Sequence, residues 1–291
     1  MNKLIGYIAV LLAAGFFGLF ALFGTGLQSL GFNTFNILAT RYVGTSLILI
    51  CIAIFSKNKT IFKINKKQLL YLSFVSIVFY GGTSFILFIS FSYIPSGIAQ
   101  TLHFLYPAVV FVLCIITKQE ELNKRNLLGL VLSSIGLLVI SNINSNAKLN
   151  TLGIILAIIS AFTFAFYMLS VRSKLLKDLS SLTYVLYLNL SAGIFYFIVS
   201  LILPPVLTSN EILPIFINSF GIVVFTTFLA SFTLTWGIKK VGSSSAAILC
   251  CLEPITATVV GFICLNETLS VNFIFGSILI LTSTVLIASQ K

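Results

Sequence analysis

Ten apolar stretches, each close to the length of a bilayer crossing, recur along this chain and leave it few ways to fold. They cover residues 4–26, 34–56, 68–92, 96–117, 126–142, 151–170, 182–203, 213–236, 243–265 and 270–288. A helix needs roughly 20 apolar residues to cross the hydrocarbon core, and each block reaches or approaches that length. With 58% hydrophobic and 8% charged residues, the apolar blocks are too frequent for a soluble core. The expected fold is an all-α membrane protein, a single transmembrane domain over residues 1–291 with ten transmembrane helices. The first block follows Lys3, is longer than a signal-peptide core and has no small-residue cleavage site before Gly24, so it reads as a retained span.

The net charge of +11 does not point to nucleic acid, because the Lys and Arg residues lie in short loops and not on one basic face. They act as topology signals. With the N-terminus in the cytoplasm, all 17 fall on the inner side except Lys148, outside, and Arg41, within a span. The positive-inside rule therefore predicts a multi-pass protein of the cytoplasmic membrane with both termini cytoplasmic. The five cysteines all sit within apolar blocks, at no spacing typical of zinc or redox motifs, so neither a metal nor a cofactor is expected.

The halves of the chain repeat. A shift of 147 residues lays 94–140 on 241–287 without a gap and matches Pro107 with Pro254, Glu120 with Glu267, Leu122 with Leu269 and Gly129 with Gly276. Repeat one spans 4–142 and repeat two 151–288. Each contains five spans, an odd number, so the second enters the membrane from the opposite side: two inverted five-helix repeats. Transporters with that architecture hold substrate near the midplane at the repeat interface and work by rocking one half against the other.

Polar residues at membrane depth are few and correspondingly informative. Glu253 lies near the middle of the ninth block, where a charge costs on the order of 2.5–3.5 kcal/mol, so it should face protein, water or a ligand. Pro254 follows it and should kink the helix, freeing the carbonyl of Cys250; Pro107 should do the same for His103 in the matching span. Gln100, His103 and Pro107 share one face of the fourth span, with Tyr106 beside them. Glu253 and His103 are also the candidates for carrying a proton. The third span offers Tyr80, Thr83 and Ser84 beside two helix-weakening glycines, and the eighth offers Thr227 and Ser231 at matching positions. Phe17, Phe20, Phe166 and Tyr167, in the two repeat-opening spans, are further cavity candidates. Arg41 either snorkels outward or attracts an anionic group near the outer mouth.

The segments YPAVVFVLCIITKQEELNKRNLLGLVL and LEPITATVVGFICLNETLSVNFIFGSIL, with GFFG at 15–18 and LATRY at 38–42, resemble the EamA-type transporters of the drug/metabolite transporter superfamily. Phe17 stands where that family often has Trp, and Lys118-Gln119 where an apolar residue and Gly are more usual. The resemblance implies a carrier of amino acids or other small metabolites, often outward, through a central cavity between the repeats. The expected function is thus a secondary active transporter, an exporter of amino acids or similar metabolites, with a small-molecule substrate, the bilayer and protons as partners. Uptake of an organic cation such as a quaternary amine, held by Glu253 with Tyr80 and Tyr106, is the alternative. An intramembrane enzyme fits less well. One histidine and six acids, five of them near loops or span ends, make no catalytic cluster, and no HExxH, paired intramembrane Asp or Gly-rich phosphate motif occurs.

Overall fold

The computed structural model describes residues 2–56, 59–141, 150–207, 212–265 and 271–289. Lys57, Lys148, Glu267, Leu269 and Lys291, used above for topology and repeat matching, lie outside them. Among the described residues every regular element is helical, and nine spans are long and apolar enough to cross a membrane. The chain is a multi-pass membrane protein.

The first span is α1 (Asn2–Gly18) and α2 (Phe20–Ser29), broken at Leu19; the second is α3 (Thr34–Phe55). The third runs from α4 (Lys66–Phe74) through a π-helical turn, Val75–Gly81, into α5 (Gly82–Ser90). The fourth is α6 (Ser96–His103) and α7 (Tyr106–Ile116). The block expected at 126–142 is α8 (Lys124–Ser141), which opens on Lys124, Arg125 and Asn126 and is not among the nine. Then come α9 (Thr151–Ser170) and α10 (Ser181–Ile202), followed by α11 (Ile212–Val223), which passes through a second π-helical turn, Val224–Leu229, into α12 (Ala230–Val241). The ninth block is α13 (Ser243–Leu249), a 3₁₀ turn at Cys250–Leu252 and α14 (Glu253–Leu265); α15 (Val271–Ala288) closes the chain.

Local sequence explains where helices begin. Asn33 caps α3 by accepting from the Asn36 N–H at 3.0 Å, and Asn65 caps α4 through Gln68 at 2.8 Å, each with the reciprocal amide contact. Ser180 and Asn150 cap α10 and α9 by accepting from the Thr183 and Leu152 N–H groups, without the reciprocal contact. Such caps contribute about 1 kcal/mol each. Between α12 and α13 the chain turns at Gly242 with φ +93°, a conformation that disfavours a side chain.

The helices pair in a definite pattern: α3 against α10, α8 against α15, α1 against α12, and α5 against α9. Close approaches depend on small residues. A Cβ at Gly136 would lie 2.7 Å from the Gly276 carbonyl oxygen, and Ser283 Oγ donates to the Gly129 carbonyl at 2.7 Å, so α8 and α15 touch backbone to backbone. Large apolar side chains such as Phe55, Leu70, Ile212 and Phe275 cover the outside, as expected for a surface that meets lipid chains.

Gly6 packs against Lys240 and Val241, which places the start of α1 at the same end as the α12–α13 turn. At the opposite end, Asn33 and Asn36 donate to the Leu203 carbonyl at 3.0 and 3.1 Å.

Candidate functional site

A cavity of about 610 Å³ lies between the spans and extends toward the end opposite the N-terminus, bounded there by Thr25 and Gln28 of α2, Phe91, and Ser96 of α6. Residues at or beside three helix breaks line it: Gly18 and Phe20 on either side of Leu19, Phe104 in the gap between α6 and α7, and Glu253 just after the 3₁₀ turn before α14. Broken helices at membrane depth are tolerated where they face protein or a cavity.

The two prolines act differently from the expected kink. Each falls in the first turn of a new helix, where its missing N–H costs nothing, so the span restarts instead of bending. The Cys250 carbonyl is not free; it accepts from the Glu253 N–H. The restart puts Glu253 at the N-terminal end of α14, where the aligned backbone dipoles favour a negative charge and offset part of the cost of placing a carboxylate there.

Of the residues singled out from sequence, Glu253, His103, Gln100, Tyr80, Thr83, Ser84, Phe17 and Phe20 line the cavity. Glu253 and Gln100 make no side-chain hydrogen bond or ion pair to any described residue. His103 is held on one side only. Ser160 Oγ donates to the Ala157 carbonyl at 2.6 Å, so it accepts from His103 Nδ1 at 3.0 Å, and that leaves Nε2 as an open acceptor. Thr83 is tied to the Thr163 hydroxyl at 2.6 Å, and Ser84 meets the Tyr42 hydroxyl at 3.4 Å.

Tyr106, Tyr167, Thr227 and Ser231 are not on the wall. Each is buried behind it. The Tyr106 ring sits 5.4 Å from His103 and 4.7 Å from Phe164, and the Tyr167 ring 4.9 Å from Tyr80. The hydroxyls of Tyr80, Tyr106 and Tyr167 are sealed from solvent without a hydrogen bond of normal geometry. Phe166 is 40% exposed on the outside, and Phe164, three residues from the predicted Tyr167, takes the inward position.

The sequence leaves two directions open for Arg41, and the fold turns it inward. It lines the cavity at 7% exposure, with Nε donating to Thr227 Oγ1 at 3.1 Å and its guanidinium 4.9 Å from the Phe20 ring and 5.6 Å from the Tyr42 ring. A cation inside a span that is otherwise apolar was the available signal. Phe88, Phe91, Phe104 and Phe164 also line the cavity, and nothing distinguishes them in the sequence from the other phenylalanines. No group of three or more His, Cys, Asp or Glu among the described residues could hold a metal ion.

The profile of the EamA-like transporter family matches residues 4–142 and 151–289. An uncharacterized transporter of Bacillus subtilis (strain 168), YvbV, is 24% identical over 216 residues; the match spans 70% of this chain and 66% of that protein, just under two thirds of its length. A protein of known crystal structure aligns with a TM-score of 0.81 over 98% of this chain and 95% of its own at 14% identity, a likeness of fold alone.

Proposed function

Because the chain belongs to the EamA-like transporter family, we propose that it is a secondary active transporter that exports an amino acid or a similarly small polar metabolite across the cytoplasmic membrane by alternating access. One observation carries the reading. Glu253, a carboxylate in no salt bridge with a described residue, stands at membrane depth on the wall of a cavity of about 610 Å³ that also carries the open Nε2 of His103 and the amide of Gln100. A charge held there without a partner is costly unless a guest supplies one.

The finer architecture in this proposal is ten spans arranged as two inverted repeats, 4–142 and 151–288. In its support, paired features recur at nearly the same offset. The breaks at 104–105 and 250–252 correspond, as do the π-helical turns Val75–Gly81 and Val224–Leu229. The contacts also exchange under the shift: α1 with α12 becomes α9 with α5, and Gly129 with Ser283 becomes Gly276 with Gly136. The loop cations favour cytoplasmic termini. Glu253 and His103 are the proposed proton carriers.

Organic-cation uptake has Glu253 and Tyr80 in its favour, but Arg41 shares the cavity and repels a cation. A proteoliposome counterflow screen across amino acids, amines and sugars, run with and without an imposed pH gradient, tests the proposal. Amino-acid flux that responds to the gradient is expected, and the absence of protein-dependent flux for every class would overturn it.

A further inference from the structure

Arg41 is more than nine-tenths buried in a span, and the structure ties down only one side of its guanidinium. The tie itself is unusual. Thr227 Oγ1 donates to the Ile222 carbonyl at 2.7 Å, a contact five residues back that the π-helical turn Val224–Leu229 brings within reach. Its single proton is thereby committed, so the hydroxyl oxygen faces Arg41 as an acceptor for Nε. Phe20 and Tyr42 lie against the guanidinium at 4.9 and 5.6 Å and hold it in place through cation–π contact. Nη1 and Nη2 have no hydrogen-bond or ion-pair partner among the described residues, and neither atom is sealed from the cavity. Glu253 lines the same cavity without pairing with Arg41.

From this geometry we infer that the free Nη edge of Arg41 is a carboxylate-binding subsite, with Thr227 and Tyr42 as positioning residues and Glu253 as the subsite for the ammonium group of the same zwitterionic substrate. Two N–H groups in a planar fork match the two oxygens of a carboxylate, which a lysine ammonium at this position would not. The inference rests on the transport reading above and adds which residues would recognise the two charges of such a substrate, Arg41 its carboxylate and Glu253 its amine. Arg41 on α3 and Glu253 on α14 line one cavity without a salt bridge between them, and one zwitterion would give each a partner of opposite charge.

The test reads Arg41 directly. The chain has three arginines, Arg41, Arg125 and Arg172. The detergent-purified full-length protein is treated with phenylglyoxal, and modification of each arginine is followed by mass spectrometry. Probes are a mixture of L-amino acids lacking arginine and cysteine, the primary amides of leucine and phenylalanine, and sodium chloride. The amino acids should slow modification of Arg41 and leave Arg125 unchanged, while the amides and chloride should not protect it. Equal protection by amides or by chloride, or no protection by the amino acids, overturns the subsite. In liposomes, Arg41→Gln should raise the half-saturating amino-acid concentration by about ten- to a hundredfold. Thr227→Val, which keeps the charge, should reduce the preference for amino acid over amide without removing flux. Should amines or sugars be carried equally well by the wild type and Arg41→Gln, the carboxylate subsite falls while transport stands; if nothing is carried, the transport reading falls, and protection of Arg41 is still scored separately.

Discussion

Charges are handled in opposite ways at the end of the molecule that carries the N-terminus and in the cavity. At the N-terminal end, Glu120 accepts from Arg172 Nη1 at 3.1 Å and from the Ser244 N–H at 3.3 Å, beside the Gly242 turn. Ser243 Oγ donates to the Met168 carbonyl at 3.3 Å, and Lys239 Nζ donates to the Leu179 carbonyl. The turn after α7, the end of α9 and the start of α13 are thus bound together. In the cavity, Glu253 and Arg41 line one space with no ion pair between them. The difference separates two uses of charge. A carboxylate with its partners in place joins helices, whereas one held open at membrane depth adds nothing to the fold and is expected to act on a guest.

That contrast can be broken first at the cavity. Glu253→Gln should lower flux by about a hundredfold, the equivalent of losing one buried charge interaction, while the unfolding temperature stays close to wild type. A large loss of thermal stability with flux retained would reverse the assignment. At the other end the expected effects are structural. Gly242→Ala forces a side chain into φ +93° and places a Cβ 2.5 Å from Glu120 Oε1, and should destabilise by about 1–3 kcal/mol in an SDS-unfolding titration. Glu120→Gln should cost less than about 1 kcal/mol in the same titration, because the Arg172 side chain is 35% exposed and water screens the pair. The smallest effect belongs to the layer behind the cavity. Tyr167→Phe removes a hydroxyl that makes no hydrogen bond of normal geometry, so stability should change by no more than about 1 kcal/mol in thermal unfolding.

Much of this molecule can be read from the chain alone. The apolar blocks, read as ten spans, coincide within a few residues with the nine spans long and apolar enough to cross a membrane and with the helix α8, because backbone groups in lipid must be satisfied inside the segment. Glu253, His103 and Gln100 were recognisable because polar side chains are costly at that depth, wherever they point. The four residues placed behind the wall fail for a common reason. Tyr106 and Tyr167 sit on almost wholly apolar helices, and Thr227 and Ser231 sit among hydroxyls at 226, 227, 231, 233 and 235 that fall on several faces, so no single polar stripe marks the inward face.

The helical class, the spans and the identity of the costly polar groups were therefore set by sequence, since each follows from transfer energies and chain-local hydrogen bonding. Which of those groups meet was decided only by tertiary packing. The direction of Arg41 depends on a hydroxyl 186 positions away, and the exclusion of Tyr106 and Tyr167 from the wall depends on rings contributed by other spans. Helix rotation in a bilayer is chosen by the fit of neighbouring surfaces, and that fit exists only after the spans have assembled.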